Sequence, residues 1–425
     1  MSDVGSYDVI VVGAGVGGVS VATELALQGR SVLLIDKASC IVNPFKGELI
    51  QPSSVLTFQR TGALSYLMAA GAIPIHRLIS TSYKGNELCA MDYRLLPEPG
   101  NYCLTHTYEK IVECLVQALP SNVTLQLGVR YIESIRDETG RFLGAKLVRR
   151  GEKPFLVRAN LLIGADGISS AIRKEIGISL TPNSYGHQVI AFDLANLKGV
   201  NSEANTLVTP GGMRVIYPMP DDKGRLYMQI PHGFVNRVGK KVGLRSWVES
   251  QISSCRPLQD IRTQILESIP TCRILSARRF IAPKFYSKNV AILGDAAHAV
   301  HPMAGQGMNA AVADAVCLAN SLTGIDLADH ECIAQSLANY NNVRRNEVGT
   351  IFEFSHRFAE LFTTTTRSMG LMRSTYILKC HGRNDRLCYK IMHNISGLGY
   401  QHFTLLDRLH QIGLFDPNSD KIPEY

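Results

Sequence analysis

The residues best suited to chemistry lie in short segments where an apolar run gives way to glycine. The first segment reads G-x-G-x-x-G, with Gly13, Gly15 and Gly18. Such glycines permit a tight turn and a close approach of the backbone to a pyrophosphate, which the N-terminus of the following helix attracts. Asp36 comes 18 residues after Gly18, where a carboxylate can hold ribose hydroxyls. These residues predict a dinucleotide site, without distinguishing NAD from FAD.

Two later segments favour FAD. The second segment is Asp166-Gly167, and the third is Gly294-Asp295-Ala296-Ala297-His298, followed by Pro302 and by Gly305 to Asn309. Asp295 is placed to accept a hydrogen bond from a ribityl hydroxyl. The positive end of a helix beginning near Gly307 would stabilise an anionic reduced flavin. A single Gly or Asp could be only a turn or a cap, but the three segments in this order predict a flavin pocket.

Strands and helices must position these segments. Residues 7–12 and 31–35 read as strands with a helix between them, the unit of a parallel doubly wound sheet. Short runs at 186–193, 212–219 and 225–231 predict an antiparallel sheet, and residues 289–293 return to the nucleotide-binding pattern. Beyond Arg345 the pattern is helical.

The predicted fold is α/β, or α+β overall, with three parts. A discontinuous Rossmann-like FAD-binding domain takes residues 1–70, 101–180 and 272–345. An inserted antiparallel-sheet domain on the substrate side takes residues 71–100 and 181–271, and a C-terminal helical region takes residues 346–425.

Composition narrows the class of protein. The chain has 425 residues, of which 45% are hydrophobic and 19% charged, as in a folded globular protein. No apolar run reaches the length of a membrane span and no secretory signal opens the chain, so a cytoplasmic protein is expected, at most attached to a membrane surface. The ten cysteines show no paired spacing, which disfavours metal sites and disulfides.

The net charge of +8 is concentrated between residues 221 and 290, where 13 Lys or Arg face 5 Asp or Glu. This basic stretch is either an ordinary solvated face or a surface that attracts an anionic nicotinamide cofactor or anionic lipid. No nucleic-acid-binding module accompanies the charge, so a nucleic-acid partner is not expected.

The three motifs, with Ser170 and Arg173 after Asp166-Gly167, resemble the single-component (group A) FAD-dependent monooxygenases related to para-hydroxybenzoate hydroxylase. The resemblance covers residues 7–345. It implies a resident FAD, NADPH or NADH as transient reductant, and a flavin C4a-hydroperoxide that delivers one oxygen atom. It also implies that Val129 lies near the adenosine. The predicted cofactor-binding residues are Gly13, Gly15, Val16, Gly17, Gly18, Asp36, Lys37, Lys46, His106, Val129, Asp166, Asp295, Gly305, Gly307, Met308 and Asn309.

Two of these residues depart from the family pattern. The family usually carries Arg near the positions of Lys46 and His106, where it touches FAD. A lysine can act as a point charge but not as a bidentate fork, so the contacts at these two places differ from those of the family.

Two finer segments indicate the substrate. Residues 301–307 are similar to ubiquinone-pathway hydroxylases, and residues 47–52 resemble a segment of squalene epoxidase. Both relatives act on lipophilic, isoprenoid-linked molecules, so a lipophilic aromatic, quinone-like or isoprenoid substrate is expected, together with O2 and NAD(P)H.

His301 and Pro302 are the residues expected to contact substrate or to carry protons, whereas His298 is expected to be structural. Tyr217 and Met228 either line a pocket or pack in the core. The aromatic and basic C-terminal helices either pack on the body or contact a membrane.

Two alternative functions of the same superfamily remain open. One is an oxygen-independent prenyl-chain reductase. The other is a flavin halogenase, which the presence of a single tryptophan, Trp247, disfavours.

Overall fold

A computed structural model describes residues 3–42, 47–197, 202–239 and 243–422. Its first sheet has the strand order β17-β18-β11-β1-β2-β8, with β10 beside β11 and β9 beside β10. The strands of this sheet are β1 Asp3–Val12, β2 Val32–Asp36, β8 Val123–Leu127, β9 Val129–Arg136, β10 Phe142–Arg149, β11 Phe155–Gly164, β17 Tyr286–Ser287 and β18 Val290–Ile292. Strand β1 pairs in parallel with both β2 and β11, and β11 pairs in parallel with β18. The carboxyl ends of these parallel strands therefore lie at one edge of the sheet.

The central strands of this sheet are buried on both faces, because residues 9–12, 32–35 and 161–163 carry only apolar side chains. Helices α1 (Val16–Leu27) and α10 (Gln306–Ser321) contact each other beside these strands. A Cβ at Gly17 would lie 3.2 Å from Cβ of Ala311, so the glycine permits this close contact.

The second sheet has the order β19-β16-β12-β15-β14-β13-β5-β6. Its strands are β5 Arg77–Ser82, β6 Glu87–Asp92, β12 Asn183–Leu194, β13 Glu203–Thr209, β14 Gly212–Met219, β15 Lys223–Pro231, β16 Arg273–Ile281 and β19 His298–Ala299. It is antiparallel except between β13 and β5, which run parallel. A small third sheet consists of β3 Leu49–Ile50, β7 Cys103–Thr105 and β4 Ile73–Ile75.

The two faces of the second sheet are covered by different helices. One face packs against α7 (Leu244–Ser253), α8 (Arg256–Gln259) and α9 (Arg262–Ser268). The other face packs against C-terminal helices through an apolar cluster that includes Val189, Met213, Phe362, Tyr389 and Met392, here called the inner cluster. Leu49 and Met303 also pack against the inner cluster.

The remaining helices are α2 Pro52–Arg60, α3 Ala63–Ala69, α4 Tyr108–Gln117, α5 Ala171–Glu175, α6 Phe234–Val238, α11 His330–Thr363, α12 Ser368–His381, α13 Asp385–Ser396 and α14 Leu405–Gln411. Helix α11 is 34 residues long and unbroken, since no proline interrupts it. In the part of the chain that the structure describes, no helix is both long and apolar enough to cross a membrane.

The mixed α/β fold agrees with the sequence prediction, and each predicted strand run lies within or overlaps an observed strand. Two predicted borders fall inside continuous structure. Strand β16 belongs to the range predicted for the FAD-binding domain, yet it pairs with β12 in the second sheet. The predicted border between residues 345 and 346 falls within α11. The division into domains at those bounds stays a prediction.

Candidate active site

The first motif is the turn between β1 and α1. Gly13 has φ +107°, and a Cβ there would lie 2.3 Å from the carbonyl oxygen of Ala165, the residue before Asp166. A Cβ at Gly18 would lie 1.8 Å from the carbonyl oxygen of Gly13. The glycines are therefore needed for the first two motifs to touch. Helix α1 begins after Gly15 without a side-chain cap, which leaves a helix N-terminus of the kind that attracts phosphate.

Asp36 lies beside this turn at the end of β2. Its carboxylate accepts hydrogen bonds from the N–H of Ala14 and of Ala38, each at 2.8 Å. Lys37 is exposed, and Val129 is buried at the start of β9. The residue before Val129 donates its N–H to the carbonyl of Ala38 at 2.8 Å. The turn, Asp36 and Val129 thus lie at one corner of the first sheet, as an adenosine-binding site would require.

The second motif caps a short helix and reaches the third motif. The Asp166 carboxylate accepts hydrogen bonds from the Ser170 hydroxyl and, at 2.6 Å, from the N–H of Ala171. The buried Arg173 guanidinium donates to the carbonyls of Ala296, at 2.8 Å, and Ile168, at 2.9 Å. Arg173 therefore links the Asp-Gly turn to the Gly294-Asp295 turn.

The third motif lies on a buried ion network. Asp314 of α10 accepts hydrogen bonds from the N–H of Gly294 at 2.8 Å, His298 Nε2 at 2.7 Å and Arg344 Nε at 2.8 Å. Burial alone would raise the pKa of the Asp314 carboxyl, but the charges of His298 and Arg344 and these hydrogen bonds hold the pKa well below its usual range. His298 thus has a structural partner, and the half-buried Asp295 follows a fixed Gly294.

The loop from Pro302 to Asn309 lies against residues 47–51. Gly305 has φ +61° and precedes α10, whose first turn contains Gly307 with no heavy atom within 4 Å of a Cβ built there. The Asn309 side chain accepts from the N–H of Gln51 at 2.8 Å and donates to the carbonyls of Leu49 and Gly305. A Cβ at Gly47 would lie 3.4 Å from Cβ of Met308. Gly305, Gly307, Met308 and Asn309 therefore lie together.

His301 is buried in a histidine pair. Its Nδ1 accepts the N–H of Met303 at 3.1 Å, so the neutral ring carries its proton on Nε2 and donates it to Nε2 of His187 at 3.0 Å. The Tyr185 ring contacts His301 edge-on at 4.5 Å between centroids. Burial lowers the pKa of His301 to about 3, with smaller effects from the charges of His187 and His356. Pro302, the next residue, is exposed.

The two predicted departures from the family pattern have different outcomes. Lys46 lies outside the described residues. His106 is buried, with Nε2 at 3.1 Å from the carbonyl of Ala70 and Nδ1 accepting the N–H of Thr107 at 2.8 Å, so both ring nitrogens have protein partners. It is the Tyr108 hydroxyl that reaches the glycine turn, at 3.3 Å from the N–H of Val16.

Sequence reasoning missed a buried ion pair next to the flavin loop. Glu48 accepts hydrogen bonds from Arg225 Nε at 2.9 Å and Nη2 at 2.7 Å, and from the hydroxyls of Tyr217, at 3.1 Å, and Tyr227, at 3.0 Å. Both charged side chains are fully buried. The pair fixes the 47–51 segment to β14 and β15. The available signals were Glu48, within the segment resembling squalene epoxidase, and Tyr217 as a candidate pocket residue, whereas Arg225 belongs to no motif.

A second missed contact lies at the same place. The Tyr93 hydroxyl donates to Gln51 Oε1 at 2.6 Å, and Gln51 Nε2 is buried with no hydrogen-bond partner. A Cβ at Gly305 would lie 3.6 Å from that nitrogen. A buried donor without a partner is costly, so an acceptor from a bound molecule fits at this point.

The arrangement fits FAD in three respects. The glycine turn offers an uncapped helix N-terminus to the pyrophosphate, Asp36 lies beside it for the ribose, and the first turn of α10 has room near Gly307. The orphaned Gln51 amide donor lies at the loop where the ring is expected. Bound FAD would supply the redox and oxygen chemistry that no side chain of the described residues supplies.

The fold and these three turns define an FAD-binding oxidoreductase. A family model described as FAD binding domain matches residues 6–354, so the chain belongs to that family. The chain is 23% identical over 404 residues to squalene epoxidase of Saccharomyces cerevisiae, covering 87% of this chain and 80% of that protein. It is 26% identical over 313 residues to 6-methylpretetramide 4-monooxygenase of Streptomyces rimosus, covering 73% of each.

Solved structures share the fold. HpxO of Klebsiella pneumoniae, in a crystal structure complexed with FAD and uric acid, aligns with TM-score 0.76 and 21% identity over 92% of this chain and 98% of that chain. With the family and these monooxygenase and epoxidase relatives, the chain is an FAD-dependent monooxygenase.

Replacing Gly15 with Asp is expected to abolish FAD binding, because the carboxylate would occupy and repel the pyrophosphate at the start of α1. The measurement is the flavin absorbance of the purified protein. Gly186→Asp is the control, since no heavy atom lies within 4 Å of a Cβ built at this exposed glycine. A normal flavin spectrum in Gly15→Asp would contradict the proposed placement of FAD.

Acid is expected to destabilise the protein through His301. The folded protein holds this ring neutral down to about pH 3, whereas the unfolded chain protonates it near its ordinary pKa of about 6.5. Stability is therefore lost as the pH falls from about 6.5 towards 3. The wild-type slope in this window should exceed that of His301→Gln by up to about 1.4 kcal/mol per pH unit.

The measurement is the free energy of unfolding in denaturant at a series of pH values. Gln335→Asn, at an exposed position of α11 without a titratable side chain, should retain the wild-type slope. Equal slopes for the wild type and His301→Gln would show that the fold does not hold His301 neutral.

Proposed function

We propose that this monooxygenase uses NADH or NADPH and O2 to hydroxylate or epoxidise a lipophilic aromatic, quinone-like or isoprenoid molecule. One oxygen atom of O2 enters the product and the other is reduced to water. The observation that carries the proposal is the apolar wall beside the flavin loop, where Leu49 and Met303 pack against the inner cluster. The names of the relatives, a squalene epoxidase and a methylpretetramide monooxygenase, support a lipophilic substrate.

Each part of FAD has proposed protein contacts. The pyrophosphate is proposed to bind the turn of Gly13, Gly15, Val16, Gly17 and Gly18, and the adenosine to bind near Asp36, Lys37 and Val129. Asp295 is proposed to hold the ribityl chain, and Asp166 belongs to the Asp-Gly motif that the family resemblance assigns to both FAD and the nicotinamide cofactor. Gly305, Gly307, Met308 and Asn309 are proposed to border the isoalloxazine ring. Lys46 and His106 stay predictions from the family pattern.

His301 and Pro302 are proposed to act on the substrate side of the loop. His301 can relay a proton to the half-buried His187, provided that Nδ1 takes up a proton from the substrate side and releases the N–H of Met303 while Nε2 gives its proton to His187. The exposed Pro302 ring would contact substrate directly. This chain thus offers a proton route of its own beside an apolar pocket, while the oxygen chemistry belongs to the bound flavin.

Oxygenation is tested with labelled oxygen gas. Oxidation of NADH or NADPH should require O2, and one labelled atom should appear in the product by mass spectrometry. Asp295→Ala should weaken FAD binding by about 10- to 100-fold, the effect of losing one hydrogen bond to a charged group. The exposed Asp420→Ala should bind FAD normally. Unlabelled product with equal turnover without oxygen would indicate a prenyl-chain reductase instead.

We further propose that the C-terminal helices rest on a membrane surface. Helix α12 exposes Met369 (82%), Met372 and Tyr376, and α14 with the residues after it exposes Leu405 (78%), Leu406, Ile412 and Phe415 (81%). These residues are here called the C-terminal apolar surface. Arg367, Arg373 and Lys379 lie on or next to α12, so an apolar surface with basic neighbours fits a bilayer containing anionic lipid.

Replacing Leu405 and Phe415 together with Glu is expected to weaken vesicle binding at least about tenfold, because each large side chain contributes about 1.5–3 kcal/mol when buried in lipid. The measurement is co-sedimentation with phosphatidylcholine vesicles, with and without phosphatidylserine. Leu143→Glu, an exposed leucine on β10, is the control. Unchanged sedimentation of the double variant would refute the membrane contact.

A further inference from the structure

A cavity of about 690 Å³ lies between the C-terminal helices and the edge of the second sheet. Helices α11, α12 and α14 form most of its walls, and β5 and β6 contribute Ser80, Cys89 and Met91. Its volume is within the range of pockets that enclose small organic ligands, about 300–1,000 Å³. It shares no lining residue with the FAD motifs described above.

The inner part of the cavity wall is apolar and borders the inner cluster. Phe354, Phe358 and Leu361 of α11 line the cavity and pack against the inner cluster. The rings of Phe354 and Phe358 stack with centroids 5.8 Å apart. Leu49 and Met303 at the flavin loop pack against the same cluster, so the inner cluster borders both the cavity and the flavin loop.

The rest of the cavity lining carries an excess of positive charge. Its charged residues are Arg345, Arg357, Arg373 and Arg408, against Glu353 and Glu360. Arg345, Arg357 and Arg373 are exposed. Among the described residues, none of these three side chains forms an ion pair or a hydrogen bond with another side chain. Glu360 lies 3.8 Å from His356 instead.

Arg408 lines the same cavity as Arg357. Its guanidinium stacks over Phe403 at 4.7 Å and donates to Gln411 at 3.1 Å. Burial and then the charge of Arg357 lower the pKa of Arg408. An anionic group between Arg357 and Arg408 would relieve this repulsion, and guanidinium forks match the oxygens of carboxylate and phosphate.

We propose that this cavity binds an amphiphile, with its apolar body against Phe354, Phe358 and Leu361 and its carboxylate or phosphate group at Arg357, Arg373 and Arg408. The inference rests on the proposed function, because it names the class of molecule whose apolar body would be oxygenated. The charge stays near solvent at the exposed arginines, while the apolar body extends towards the inner cluster, which borders the flavin loop. The apolar wall and the basic lining of the cavity would thereby bind two parts of the same ligand.

The test is isothermal titration calorimetry of the FAD-loaded protein with three ligands of one chain length: decanoate, decyl phosphate and decanol. Each is used below its aggregation concentration. The two anions should bind about tenfold or more tightly than decanol, as expected for at least one charge-assisted hydrogen bond. Affinity should also rise from hexanoate through octanoate to decanoate, because each added methylene is transferred from water.

Arg357→Gln and Arg373→Gln should each weaken decanoate binding about tenfold and leave decanol binding unchanged. Arg373→Lys should recover part of the loss, since it restores the charge without the fork. The matched control is Arg383→Gln, at an exposed arginine outside the cavity lining. Equal folding of all variants is checked by circular dichroism.

Equal affinities for decanoate and decanol would overturn the proposal. So would variants of Arg357 and Arg373 that lose only vesicle binding, because the arginines would then serve the membrane surface. If arginine-dependent anion binding holds but no compound yields an oxygenated product, the anion site stands and the proposed oxygenation of lipophilic molecules fails. If neutral lipophiles were oxygenated and anions bound no more tightly, the proposed oxygenation would stand and the anion site would be refuted.

Discussion

The buried carboxylate of Asp314 is the interaction on which the flavin side of this protein depends. It receives the Gly294 amide, His298 and Arg344, so one side chain of α10 joins the end of β18, the start of β19 and helix α11. A second tie runs from the Tyr340 hydroxyl to the carbonyl of Ile292 at 3.0 Å. A buried ion group of this kind contributes little net stability but is costly to break. It therefore acts mainly to hold the Gly294-Asp295 turn in one position.

A second buried ion pair, Glu48 with Arg225, holds the 47–51 segment in place on the substrate side. Residues of β15 alternate, so that Arg225 and Tyr227 face Glu48 while Leu226 and Met228 pack towards α7 to α9. Desolvating Glu48 and Arg225 is expensive unless each is fully hydrogen-bonded, and the two tyrosine hydroxyls complete the carboxylate. The 47–51 segment is thereby fixed between the second sheet and the first turn of α10. The segments on both sides of the expected flavin ring are thus held by buried ion pairs and hydrogen bonds in apolar surroundings.

The features that could be predicted from the sequence are those whose interacting residues lie within a short stretch of the chain. The glycine turn and Asp36 were predictable, because the close contacts that exclude a Cβ at Gly13 and Gly18 recur wherever a strand, turn and helix meet in this way. The Glu48–Arg225 and His301–His187 pairs were not, because 177 and 114 residues separate their members and no spacing rule joins them. Met228 shows the same limit, because the alternation of side chains marks it as buried but does not tell which helices pack on that face of the sheet. A helical tail was predicted, but the sequence did not indicate that its first helix is the one that carries Arg344. No proline or pair of glycines near Arg345 marks a helix end there.

The continuity of α11 links two parts of the protein through helical phase. Arg344 points to Asp314 beneath the flavin motif, and its neighbour Arg345 lines the cavity, so one helix serves both. An α-helix turns by about 100° per residue. Inserting or deleting a single residue between Arg345 and Phe354 would rotate the aromatic cavity wall away from the cavity, while leaving the flavin motif intact. Ligand preference can therefore be altered by substituting side chains along this wall, whereas a change in its length would remove the wall from the cavity.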